Sequence, residues 1–222
     1  MNDFPFLIFD FDGTIIESAV GMTACINEVL SELGRPRLEV HDLENMVGEG
    51  IHITVQRALE KTGEVPKELD KYVDHFKKLY HQQPIEKTPL YPNAISTLEK
   101  LASNGHVMAL CTNKVYDATL RLCKGLNILH YFKAITGGDT YPIRKPHPEH
   151  LLRTIGEIGG TADKAVMIGD SINDIKCANA ANVRSIAVTY GYTKVPPNEL
   201  GASCLINGLD EIPDALVRLS DQ

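Results

Sequence analysis

The sequence has no run approaching the ~18 consecutive apolar residues that a membrane-spanning helix needs. It also has no excess of basic charge: 22 Lys and Arg stand against 29 Asp and Glu, a formal net charge of −7. No basic field exists to collect phosphates nonspecifically, which argues against a nucleic-acid or anionic-membrane binder. Cysteine is sparse. Cys25, Cys111, Cys123, Cys177 and Cys204 form no C-x-x-C pair and no even framework, so they read as buried or half-buried thiols in a reducing cytoplasm. The opening MNDFPFLIFD carries an early Asp and only a short apolar run, which reads against a signal peptide. Internal repeats, low-complexity tracts and a G-x-G-x-x-G fingerprint are absent too.

What is present is a chain of 222 residues, 43% hydrophobic and 23% charged, the balance of a globular protein. A chain this long buries roughly 70–75% of its unfolded surface, enough for a core without disulfide or metal staples. Three short apolar runs end abruptly in polar residues: Phe6 to Phe9 into Asp10, Val107 to Cys111 into Thr112, and Ala165 to Gly169 into Asp170. Runs apolar on both faces suit buried parallel strands. Lys133–Thr136, Ser185–Val188 and, more weakly, Ser203–Ile206 are further candidates. Helical spacing follows Pro92 (Ile95, Leu98, Leu101) and Pro148 (Leu151, Leu152, Ile155, Ile158), and a helix is expected from about Ile172 to Ala181. Strand and helix in alternation predict an α/β doubly wound parallel sheet with right-handed crossovers.

Residues 18–85 break that rhythm. Three apolar helical stripes (Met22 to Leu33, Ile51 to Leu59, Leu69 to Tyr80) and a short helix near His41–Met46 predict a small all-helical unit inserted after the first strand. The core is then 1–17 and 86–222, with hinges at Ile15–Ser18 and Gln82–Pro92.

In an open parallel sheet, ligands sit at the strand C-termini. The first predicted strand ends in Asp10-Phe11-Asp12-Gly13-Thr14, where two carboxylates spaced i, i+2 face one side. Charges that close need a cation or a proton between them; one acid is then suited to nucleophilic attack and the other to moving protons. The second ends in Thr112-Asn113-Lys114, a hydroxyl and backbone N–H groups able to cradle a phosphoryl oxygen, although Thr-Asn is also ordinary cap chemistry. The third ends in Gly169-Asp170-Ser171-Ile172-Asn173-Asp174, with carboxylates four apart as a magnesium site wants, or as a helix cap wants. Four carboxylates and a phosphate require offsetting cations. Mg²⁺ is one, and Lys145, stiffened between Arg144 and Pro146, is the other.

In this order the runs DFDGT, CTN, RKPHPE and GDSIND resemble the four motifs of the haloacid dehalogenase-type phosphatases, over the whole chain including the inserted helical cap. Thr136-Gly137-Gly138-Asp139-Thr140, Val188-Thr189-Tyr190-Gly191-Tyr192 and Val47-Gly48-Glu49-Gly50 look closest to the bacterial phosphoglycolate phosphatases, where Asn is commoner at the position of Glu49. The resemblance implies that Asp10 is the nucleophile and Asp12 the acid and base. It implies that Thr112 and the Asn113 amide hold phosphoryl oxygens, and that Lys145 steadies nucleophile and phosphate. Asp10, Asp170 and the Asp12 carbonyl would bind Mg²⁺ with Asp174 in support, while the cap loop at Gly48 and Glu49 reads a small phosphorylated metabolite. A pyrophosphatase or nucleotidase on the same scaffold, or a phospho-acceptor signalling module, are the alternatives.

Other groups read as structural. His147 and His150 are three apart but no Cys or carboxylate completes a zinc set, so they are taken as helix-start residues. Arg57 reads as solvent-facing rather than as a contact for a substrate carboxylate, and the Tyr72/Phe76/Tyr80 stripe as core packing.

Overall fold

The computed structural model describes residues 3–221. Six strands, β1 (Phe6–Phe9), β2 (Val107–Cys111), β3 (Phe132–Thr136), β4 (Ala165–Gly169), β5 (Arg184–Val188) and β6 (Cys204–Ile206), form one sheet in the order β3-β2-β1-β4-β5-β6. Every pairing is parallel, with Phe9 level with Leu110 on one side and Ile168 on the other. The predicted strands all form, and the sheet is the expected doubly wound α/β type.

Why these runs are apolar throughout is visible in their alternation. Leu7 and Phe9 of β1, Met108 and Leu110 of β2, and Val166 and Ile168 of β4 join one buried cluster, whereas Ile8, Ala109, Cys111 and Met167 join another on the opposite face. The first face is covered by α5 (Ala94–Ser103), α6 (Tyr116–Gly125) and α9 (Ile212–Ser220), the second by α7 (Pro148–Glu157) and α8 (Ile172–Ala180). Each fully buried Leu or Ile in these layers contributes about 1.5–3 kcal/mol.

Between β1 and α5 lie four helices: α1 (Ala19–Glu32), α2 (Val40–Glu44), α3 (Ile51–Thr62) and α4 (Leu69–Gln82). They have a core of their own, built on Met22, Ile26, Leu30, Leu43, Val55, Leu59, Val73 and Phe76. Asn27 ties its interior by donating to the Leu38 carbonyl at 2.9 Å and accepting from the Leu38 N–H at 2.8 Å. The two connections to the sheet run side by side. The Glu17 N–H donates to the Pro89 carbonyl and the Tyr91 N–H to the Ile15 carbonyl, each at 2.9 Å. Among the described residues no helix is long and apolar enough to cross a membrane.

β1 lies between β2, which follows it after the helical insertion, and β4. The strand order reverses there, and the crevice at the C-termini of these three strands is where such a sheet binds ligands.

Candidate active site

A cavity of about 40 Å³ sits at that crevice. Its floor is Asp10, Asp12, Thr112, Asn113, Lys114, Asp170 and Ser171; its roof is Met22, Val47, Gly48, Gly50, Ile51 and Thr54. The segments that follow β1, β2 and β4 therefore meet in one place beneath the helical insertion. Glu49 is not among the lining residues.

Asp10 closes β1, its N–H donating to the Ile168 carbonyl at 2.8 Å, so the neighbouring strand fixes its backbone. Gly13 then adopts φ +79°, and the chain turns away from the sheet. Asp10, Asp170 and Asp174 are all buried, and each offers a carboxylate oxygen within 4.8 Å of the others. Lys145 sits behind them with its Nζ 2.9 Å from Asp10 Oδ1, 2.6 Å from Asp174 Oδ1 and 2.5 Å from the Cys111 carbonyl. Its burial opposes the ammonium, but Asp10 and Asp174 outweigh this and hold Lys145 above the ordinary lysine range.

One lysine does not balance three buried carboxylates. Burial first, and then the Asp174 charge, push Asp10 up to about 7 against the pull of Lys145, and the same two causes raise Asp170 well above its usual range. Although Asp10 Oδ1 is ion-paired with Lys145, it receives no aligned hydrogen bond. Three buried carboxylates facing a single lysine make an all-oxygen donor set with excess negative charge, which fits a hard divalent cation.

Asp174 does two jobs. It is the third residue of α8, and with Ser171 forms a capping box: its Oδ2 accepts from the Ser171 N–H at 3.0 Å and hydroxyl at 2.7 Å, while Oδ1 takes Lys145. The cap and cation-site readings of this motif thus hold together. Asp170 accepts from the Tyr192 N–H at 2.6 Å and the Thr14 hydroxyl at 3.3 Å. That approach demands Gly191, because a Cβ there would lie 2.2 Å from the Asp170 Cβ.

Asp12 stands apart from this group. Its two oxygens accept from Lys114 Nζ at 3.0 and 3.1 Å, and Lys114 also donates to the Tyr80 hydroxyl at 3.0 Å. Burial works against the Lys114 charge, yet Asp12 and Tyr80 hold it above the usual lysine range.

Several expectations change here. The Asn113 side-chain amide donates to the Gly48 carbonyl at 2.8 Å and to the Lys145 carbonyl at 2.9 Å, so it ties roof to floor and leaves the backbone N–H as this residue's donor toward the cavity. Glu49 turns out of the cavity to Arg57 at 2.7 Å and Lys194 at 3.3 Å. Burial is the largest single effect on Glu49 and raises its pKa, but Arg57 and Lys194 together outweigh it and lower the pKa. Arg57 is accordingly half-buried and paired rather than solvent-facing. Tyr80 belongs to the helical core as expected, stacked on Phe76 with ring centroids 5.9 Å apart, and its hydroxyl reaches the site as well. His147 caps α7 by accepting from the Glu149 N–H at 3.2 Å, and His150 is buried within that helix. Four of the five cysteines are buried and all are free.

Lys114, Tyr80 and Tyr192 reach the site although the motifs did not point to them. Lys114 had a signal in its place directly after Thr112-Asn113 at a strand end. Tyr192 had one in the Tyr190-Gly191-Tyr192 run. It reaches the start of α1, where its hydroxyl accepts from the Ser18 and Ala19 N–H groups at 2.7 and 3.0 Å and donates to Glu17 at 2.9 Å.

Comparison with known proteins agrees with this geometry. The profile of the haloacid dehalogenase-like hydrolases matches residues 7–188. A phosphoglycolate phosphatase of Agrobacterium fabrum is 38% identical, with 96% of this chain and 92% of that protein covered. One of Cereibacter sphaeroides is 35% identical, with 97% and 99% covered. A crystal structure described as a predicted phosphoglycolate phosphatase from Haemophilus somnus superposes with a TM-score of 0.91 at 28% identity, covering 97% and 99% of the two chains. The chain belongs to the haloacid dehalogenase-like hydrolases.

Proposed function

We propose that this haloacid dehalogenase-like hydrolase is a phosphoric monoester hydrolase that converts 2-phosphoglycolate to glycolate and phosphate. The observation that carries the reading is the separation of two acids on one strand end. Asp10 has a buried oxygen without an aligned donor, and Asp12, two residues on, is held apart by Lys114. The relatives named phosphoglycolate phosphatase support the choice of substrate.

In this reading Asp10 attacks phosphorus, the bond to the ester oxygen breaks, and Asp12 gives its proton to the leaving alkoxide. Asp12 then takes a proton from water as the water attacks the aspartyl-phosphate, which releases phosphate and restores Asp10. The Thr112 hydroxyl and the Asn113 backbone N–H hold phosphoryl oxygens. Lys145 neutralises the nucleophile's surroundings, which matters because phosphoryl transfer rests mainly on positioning and charge. Asp10, Asp170 and the Asp12 carbonyl would hold Mg²⁺, with Asp174 supporting them through Lys145 and Ser171. Bound there, Mg²⁺ supplies two positive charges against the incoming phosphate. Residues 18–85 act as a cap that excludes water from the site, and 1–17 with 86–222 carry the chemistry. The free buried thiols fit a cytoplasmic setting.

The test is turnover of a panel of small phosphate esters with and without Mg²⁺. Wild type should prefer 2-phosphoglycolate, chelation should abolish turnover reversibly, and Asp10→Asn should be inactive. A stably phosphorylated protein without turnover would point instead to a phospho-acceptor module.

A further inference from the structure

Of the residues lining the cavity, Lys114 is the only cation. Lys145 lies behind the carboxylates, facing Asp10, Asp174 and the Cys111 carbonyl, and does not line the cavity. Lys114 instead lies 3.0 Å from Asp12 and 3.0 Å from the Tyr80 hydroxyl contributed by α4. In the reading above Asp12 stands beside the leaving oxygen, so Lys114 marks the leaving-group end of the cavity and Asp10 with Thr112 the phosphoryl end.

The rest of the leaving-group end is apolar or uncharged: Met22, Val47, Ile51 and Thr54. A second negative charge on the substrate's leaving group would therefore meet Asp12, and Lys114 is the cation in contact with that acid. The lysine is 6% exposed, so water does little to screen either the repulsion or the attraction. Lys114 touches Asp12 directly, so the group it meets lies within a bond or two of the ester oxygen that Asp12 serves.

We infer that Lys114, oriented by Tyr80, is the specificity-determining residue, and that it selects phosphomonoesters whose leaving group carries a carboxylate on the carbon next to the ester oxygen. The inference rests on the phosphatase reading and adds the group that recognises the substrate's tail. An ester with a neutral tail leaves Lys114 on Asp12; an anionic tail takes a share of its three N–H donors.

The experiment compares 2-phosphoglycolate with ethyl phosphate, which has the same length and no carboxylate. In Lys114→Met, the ratio of kcat/KM for 2-phosphoglycolate over ethyl phosphate should fall roughly 10- to 100-fold, and Lys114→Arg should recover part of it. The dissociation constants of the two esters, measured by calorimetry on Asp10→Asn with Mg²⁺, should show the same loss of preference when Lys114→Met is added. An equal decline for both esters would overturn the inference, because Lys114 would then serve only to hold Asp12. If Lys114→Met fails to fold, Tyr80→Phe decides: a fall of roughly 2- to 10-fold in the ratio supports the inference and an unchanged ratio overturns it. Failure of the phosphatase reading is a different result, namely no turnover of either ester by wild type, or full turnover by Asp10→Asn.

Discussion

The floor and the roof of the cavity are made from opposite materials. The sheet supplies nearly all the charge: Asp10, Asp12, Asp170 and Lys114 line the floor, with Asp174 and Lys145 buried beneath. The helical insertion supplies Met22, Val47 and Ile51, the backbone of Gly48 and Gly50, and the hydroxyls of Thr54 and Tyr80. The charged half stands at the strand ends, where the Asp10 N–H bonds the neighbouring strand and Asp174 is fixed in the first turn of α8. The apolar half is held to it by a few polar contacts, chiefly the Gly48 carbonyl under Asn113 and Asn173, and Tyr80 on Lys114. In the proposed reading the chemistry belongs to the charged half and selection to the contacts the apolar half brings over it.

Substitutions on each side should separate these roles. The largest effect is expected on the floor. Asp12→Asn removes the proton donor and should lower kcat by roughly 10²- to 10⁴-fold while the melting temperature stays near wild type; near-normal rates would contradict its role. Next comes the roof's own core. Phe76 is fully buried and stacked on Tyr80, so Phe76→Ala should cost about 3–5 kcal/mol in urea unfolding. A loss below about 1 kcal/mol would mean that the helical unit does not depend on this cluster.

The third test concerns pH and the sheet half. Burial, and then the nearby Lys145 charge, push His150 down from 6.5 to about 4. The unfolded chain therefore binds the proton first on acidification. Stability from this group is complete above about pH 6.5 and is lost as pH falls toward 4, by about 3 kcal/mol in all. His150→Leu should flatten that part of a stability–pH profile; an unchanged slope would show that the ring is not held neutral. The smallest effect is at the rim. Because Glu49 points away to Arg57 and Lys194, Glu49→Asn should shift relative rates across an ester panel by less than about threefold and stability by under about 1 kcal/mol. A larger change in preference would mean that Glu49 turns inward when substrate binds.

Much of this was legible in the chain because the relevant signals are local. A strand buried on both faces must be apolar throughout, so each strand-end acid stands out against the run before it. The helical insertion announced itself by a change of period from strand to helix. Lys114, Tyr80 and Tyr192 were less legible because their roles come from partners far along the chain: Lys114 meets Asp12 across 102 residues, and Tyr192 meets Ser18 across 174. Arg57 was misjudged for a local reason: its partner Glu49 lies eight residues back in the same helical unit, and a turn rather than a periodicity brings the two together.

The sequence by itself determined the element order, the two kinds of region and the acids at the strand ends, because periodicity and strand termination are properties of neighbouring residues. Only the tertiary structure decided which lysine faces the cavity, which carboxylate stands apart from the other three, and where Glu49 points. Those outcomes depend on burial and distance between elements, and a buried charge is settled by the nearest opposite charge the fold delivers.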